Sequence, residues 1–172
     1  LQALLPLRKK RMDASNRCTT LVHIANGYLY GGQPQQALAV LEDVQPPEKA
    51  LEMRGLVAGN KATCFLAAGE MDRAQTAMDA DRNCKKEFVQ KARHTLGYLQ
   101  LCMDIARGRH ADVGALQKDF ESSRAPLHRL DVQYRIALAL RHRGDRTGME
   151  KSREYLLENS GGTCYGELAR AL

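Results

Sequence analysis

Four glycine-led turns recur along the chain: Gly32 in GGQPQQA, Gly69 in GEMDRA, Gly108 in GRHADV and Gly144 in GDRTGM. Each follows a run of apolar residues at helical period and precedes another, so the sequence reads as helix, turn, helix, written four times. The turns lie 37, 39 and 36 residues apart. A helix pair of that size cannot bury its apolar face alone, and units repeated at such a period reach stability by stacking on their neighbours. This limits the fold more tightly than any single motif does.

Composition points the same way. Hydrophobic residues make up 44% of the 172 positions, aromatics only 5%, and tryptophan is absent. Alanine and leucine dominate while strand-forming residues are thin, which favours helices in close contact over sheets. The length suits one domain or one short array. The expectation is an all-α protein.

The residues around each turn sharpen that reading. The first unit runs Leu21-x-x-Ile24-Ala25-x-x-Tyr28, followed nine residues on by Ala37-x-x-x-Leu41; the second runs Ala58-x-x-Lys61-Ala62-x-x-Phe65, followed nine residues on by Ala74-x-x-x-Met78. The fourth keeps Ile136-Ala137-x-x-Leu140 and then Met149, with Arg153 in place of a bulky apolar residue. The third fits through Tyr98-x-x-Leu101-Cys102-x-x-Ile105, but Gly108 arrives one residue early and its second helix shows Val113, Leu116 and Phe120. Together these residues resemble the tetratricopeptide repeat family, over about residues 18–158. Small residues on both helices let the pair approach while bulky ones bury against the partner and the next unit. Lys61 departs from the pattern and belongs at an edge, its stem packed and its ammonium in water.

The resemblance implies a right-handed superhelical array of antiparallel helix pairs, an α-solenoid, forming one domain over residues 1–172. The units fall at about 12–45, 48–82, 85–122 and 126–158, with a capping helix over 163–172. Pro46 and Pro47 precede a helix over about 48–68, and the stretch from Asn83 to Gly108 reads as one long helix. Asn159, Gly161 and Gly162 stop the last long helix, after which Tyr165, Leu168, Ala169 and Leu172 share one face.

In this family the first helices line a concave groove that takes extended peptides or helices. Carried onto this chain, that lining is Asn26, Tyr30, Asn60, Leu66, Leu99, Met103, Tyr134 and Arg141, with Val22, Leu29, Thr63 and Leu138 beside them. Some family members grip a terminal carboxylate with cations and amides. Here Asn26 and Asn60 match, but Val22 and Leu99 stand where cations are needed, so that clamp is rejected. Leucines and methionine at helical spacing also suit a core, which makes Tyr30, Tyr134 and Asn26 the better peptide contacts.

No chemistry is expected. The sequence has no G-x-S-x-G, no phosphate loop and no H-E-x-x-H. The five histidines are dispersed, and His23 reads as partly buried in a helix. Glu70, Asp72 and Arg73 look like an acid/base cluster, but Gly69 in front of them marks a turn, and acids there suit a helix N-terminus. Glu42 with Asp43, and Asp79 with Asp81, read as surface. Five cysteines without a C-x-x-C pair argue against a disulfide framework or zinc and for a reducing compartment. No cofactor or metal is expected.

The formal charge of +6 comes from 26 basic and 20 acidic residues. The basic groups are scattered: Arg8 to Arg11, then Lys85, Lys86, Lys91 and Arg93, then Arg141, Arg143 and Arg146. Scattered cations read as solvated helix faces, with nucleic acid as the competing partner. LQALLPLRKKR reads either as a first amphipathic helix or as the cytoplasmic edge of a membrane segment. Nothing in the 172 residues is long and apolar enough to span a bilayer. The expected role is a non-catalytic scaffold that binds a protein or peptide, in the cytoplasm or on the cytoplasmic face of a membrane, tethered upstream or not. The alternative is a regulatory, nucleic-acid-associated repeat protein using its basic helix faces.

Overall fold

The computed structural model describes residues 13–47, 49–85, 91–109 and 111–172, so both readings of the first eleven residues lie outside it. Every regular element among the described residues is an α-helix. The contacts divide the chain into two compact units, residues 1–99 and 100–172. The first holds α1 (Ala14–Tyr30), α2 (Pro34–Glu42), α3 (Leu51–Ala67), α4 (Met71–Lys85) and the start of α5 (Lys91–Ala106). The second holds the rest of α5, α6 (Val113–Ser122), α7 (Pro126–His142), α8 (Arg146–Asn159) and α9 (Cys164–Arg170). Of the long helix expected from Asn83 to Gly108, Asn83 to Lys85 belong to α4 and Lys91 to Ala106 to α5, and the stretch 86–90 lies outside the described residues.

All four glycine turns adopt one geometry. Gly32, Gly69, Gly108 and Gly144 have φ of 76°, 77°, 68° and 75°, a left-handed conformation that costs a residue with a Cβ. The residue after each glycine donates its N–H five residues back: Gln33 to Tyr28, Glu70 to Phe65, Arg109 to Asp104 and Asp145 to Leu140, at 2.8 to 3.0 Å. Each glycine N–H closes the inner bond, to Leu29, Leu66, Ile105 and Arg141 respectively. This Schellman arrangement satisfies carbonyls that the end of a helix would otherwise leave bare. The third turn shares it although its sequence register differs. There the bond falls on Asp104, while burial on α5 follows Leu99, Cys102, Met103 and Ile105.

In the first unit α1 packs on α2 and on α3, α2 on α3, and α3 on α4. The interfaces are filled by Leu21, Ile24 and Ala25 from α1, Ala37 and Leu41 from α2, Ala62 and Phe65 from α3, and Ala74 and Met78 from α4, all buried. The three alanines on the expected small positions of the first two pairs, together with Ala25, are at most 1% exposed, so the helices touch through their smallest side chains. Asp13 caps α1 through its carboxylate to the Asn16 N–H, and Pro34 opens α2. His23 corrects the sequence reading: it is exposed, because it points away from the stripe through Cys18, Leu21, Ala25 and Leu29. Lys61 is half-buried, as its edge position requires.

The second unit repeats the adjacency: α7 packs on α6 and α8, and α9 packs on both α7 and α8. Asp112 and Asp145 cap α6 and α8. The buried side chains of α8 are Ser152 and Leu156, with Met149 and Arg153 half-buried. A guanidinium in the expected inward place would demand buried partners, so Arg153 lies at the flank and donates from Nε to the Ala169 carbonyl at 3.1 Å, fastening the end of α9. The end of α6 has no glycine. Arg129 of α7 replaces it, donating to the Phe120 and Ser123 carbonyls at 3.0 and 3.3 Å while its guanidinium lies 3.9 Å from the Phe120 ring centroid. Phe120 also meets Tyr155 edge-on at 5.2 Å.

Candidate ligand-binding surfaces

In the first unit the contact between α1 and α3 places Asn26 and Tyr30 on one helix and Asn60 and Thr63 on its neighbour. All four are half-buried. Two of the polar groups are already used locally: Asn60 donates its amide to the Leu56 carbonyl at 2.8 Å, and Thr63 its hydroxyl to the Gly59 carbonyl at 3.0 Å. Asn60 thus works partly for its own helix, which weakens it as a ligand contact. Val22, Leu29 and Leu66 are buried, with Leu66 7% exposed.

The second unit carries Tyr134, Leu138 and Arg141 on one stripe of α7, at i, i+4 and i+7. Tyr134 and Leu138 are half-buried and Arg141 is exposed. The Tyr134 ring meets Tyr165 of α9 at 6.1 Å between centroids, and the Arg135 guanidinium lies 5.6 Å from its centroid. Burial pushes the Tyr134 phenol above its ordinary range, so it stays a neutral hydroxyl at physiological pH. Arg135 pairs with the buried Asp131 at 3.3 Å. This stripe is therefore an aromatic shelf beside a cation.

The eight residues expected to line a groove divide accordingly. Asn26, Tyr30, Asn60, Leu66 and Leu99 fall in the first unit and Met103, Tyr134 and Arg141 in the second. Leu66, Leu99 and Met103 are 7%, 3% and 0% exposed. They are corrected from lining to core: each lies on the packed stripe of its helix, where an apolar side chain gains more from its own chain than from a ligand.

Sequence reasoning missed two features. An open cleft of about 540 Å³ lies between the start of α1 and the end of α2, with Arg17, Cys18, Leu21, Glu42 and Asp43 in its walls. Glu42 and Asp43 look like plain surface in sequence, and only the antiparallel hairpin brings them opposite Arg17. Tyr165 was legible as apolar but not as the partner of Tyr134, because the two come from helices joined through α8.

Cys18, Cys64 and Cys102 are buried free thiols. Burial alone pushes the Cys64 thiol up to about 12, and burial also raises Cys18, which makes both poor nucleophiles. Among the described residues no three histidine, cysteine or carboxylate side chains are grouped to hold a metal ion, and no helix is long and apolar enough to cross a membrane. The chain matches no protein-family model, no curated protein and no solved structure.

Proposed function

We propose that this chain is a non-catalytic scaffold of the tetratricopeptide type that captures a protein segment or peptide on the faces of its first helices. One observation carries the reading: each unit holds up an amphipathic face over a packed core, Asn26, Tyr30 and Asn60 in one and Tyr134, Leu138 and Arg141 in the other. Amphipathic rings beside amides or a guanidinium suit peptide recognition, because they bury area at low entropic cost and still satisfy polar backbone. The solenoid assignment rests on the shared Schellman turns and on the recurrence, within each unit, of a helix pair followed by a helix packed on both members. The three buried free thiols suit a reducing compartment, which supports a role in the cytoplasm or at the cytoplasmic face of a membrane.

A peptide array probed with the purified protein tests this, with Tyr30→Ala and Tyr134→Ala as paired variants. Spots that bind the wild-type chain and fade with either variant support capture on those faces. A set of ligands indifferent to both substitutions sinks the reading.

A further inference from the structure

Two of the four turns differ from the others in charge. Gly108 is flanked by Arg107 and Arg109, and Gly144 by Arg141, His142, Arg143 and Arg146. The Gly32 turn carries no charged residue between Tyr30 and Gln36, and the Gly69 turn mixes Glu70 and Asp72 with Arg73. Both arginine turns belong to the second unit, and one bond holds them side by side: Arg143 donates from Nη2 to the Ala111 carbonyl at 2.6 Å. Arg107, Arg109, Arg141 and Arg146 lie within four residues of that bond, and with Arg143 all five are exposed. Asp104, Asp112 and Asp145 sit among them, but Asp104 meets Arg109 at 3.4 Å and the other two cap helices. No hydrogen bond or ion pair engages the Arg141 or Arg146 guanidinium among the described residues. Five guanidiniums against three occupied carboxylates leave this edge positive.

We infer that this arginine edge docks a short acidic peptide segment, its carboxylates received by Arg141 and Arg146 with Arg107, Arg109 and Arg143 around them. The inference rests on the peptide-binding reading and deepens it, because Arg141 belongs both to the α7 shelf and to the edge. Guanidiniums offer paired N–H groups that match a carboxylate, which lysines cannot. Two observations favour a short segment over a long polyanion or a membrane. Glu150, Glu154 and Glu158 run exposed down α8 away from the edge and would repel a duplex laid along the unit. The second unit's exposed leucines, Leu127 and Leu157, sit at the opposite ends of α7 and α8, so among the described residues no apolar side chain of that size is exposed at this edge to enter a bilayer.

Fluorescence anisotropy on the full chain at about 50 mM salt tests the edge, using labelled hexaglutamate, hexaglutamine and a short DNA duplex. Hexaglutamate is expected to bind and hexaglutamine not. The double variant Arg141→Gln, Arg146→Gln should weaken hexaglutamate about tenfold and flatten its salt dependence. Replacing Arg8, Lys9, Lys10 and Arg11 by glutamine should leave it unchanged. The proposal is overturned if the double variant binds hexaglutamate like the wild type, if binding follows the Arg8 to Arg11 replacement, or if the duplex binds more tightly than hexaglutamate. A Tyr134→Ala protein that loses array ligands but keeps hexaglutamate separates the two readings; one that keeps both sinks the shelf and leaves the edge standing.

Discussion

Replacing Gly69 and Gly97 by alanine, one at a time, tests how much of the fold depends on a single backbone angle. A Cβ built on either glycine meets no atom within 4 Å, so neither variant gains or loses packing. Only the backbone differs. Gly69 sits at φ 77° in the turn between α3 and α4, whereas Gly97 is an exposed position inside α5. An alanine held in the left-handed region costs about 1 to 2 kcal/mol, partly offset by about 0.4 to 1 kcal/mol because the unfolded chain also loses freedom. Gly69→Ala should therefore destabilise by about 1 kcal/mol. Gly97→Ala keeps the unfolded-state gain without the penalty and should stabilise by about 0.5 to 1 kcal/mol. Both residues lie in the first unit, so urea unfolding followed by circular dichroism reports them on the same transition. With a slope near 2 kcal/mol per molar, the two midpoints should separate by about 0.8 to 1 M, in opposite directions from the wild type. Two variants that shift the midpoint the same way would refute the argument that the turn angle sets the cost.

Three further outcomes follow from local chemistry. The Glu70 carboxyl is held below its ordinary range, first by the Gln35 amide at 2.9 Å and then by Arg73. Its contribution is present above the ordinary carboxylate range and is lost as pH falls through its lowered value. In Gln35→Leu its NMR titration should move up toward a free glutamate, and an unmoved titration would remove Gln35 as the main cause. Cys64, pushed up to about 12 by burial, should resist iodoacetamide in the native protein while the half-buried Cys164 is alkylated first, as peptide mass spectrometry would record. Early labelling of Cys64 would contradict its packing. Arg153→Ala removes the guanidinium from the Ala169 carbonyl, so hydrogen exchange should quicken in α9 and stay unchanged in α6; equal protection in α9 would show that the bond is dispensable.

The turns and several helix ends were legible because glycine and proline act within a few residues of themselves. Gly32, Gly69, Gly108 and Gly144 could be read as turns, and Ala37 and Ala74 as points of close approach, without knowing what lay opposite. Burial on a helix was less readable. Leu66, Leu99 and Met103 carry the same spacing whether they face a groove or a core, and His23 differs from its buried neighbours only by a rotation of one residue. Contacts between distant residues were not readable at all. The Gln35 to Glu70 bond, the Arg129 clasp on Phe120 and Ser123, and the pairing of Tyr134 with Tyr165 each need a helix packing before the partners can meet. The arginine edge is intermediate. Its residues stand out in sequence, but they become one surface only through the Arg143 bond to Ala111.

The Schellman turns also determine where this chain can change length. Three of them step from glycine to the next helix in the same two residues, Gly32 to Pro34, Gly69 to Met71 and Gly144 to Arg146. The joints between pairs are unequal: Glu42 to Leu51, Ser122 to Pro126 and Asn159 to Cys164. An extra residue in a glycine turn would break a bond ring whose size is fixed, whereas one added between pairs only lengthens a loop, at slight entropic cost. The molecule thus has hinges of set gauge and joints of free length, and a linker, tag or further helix is best spliced into the joints.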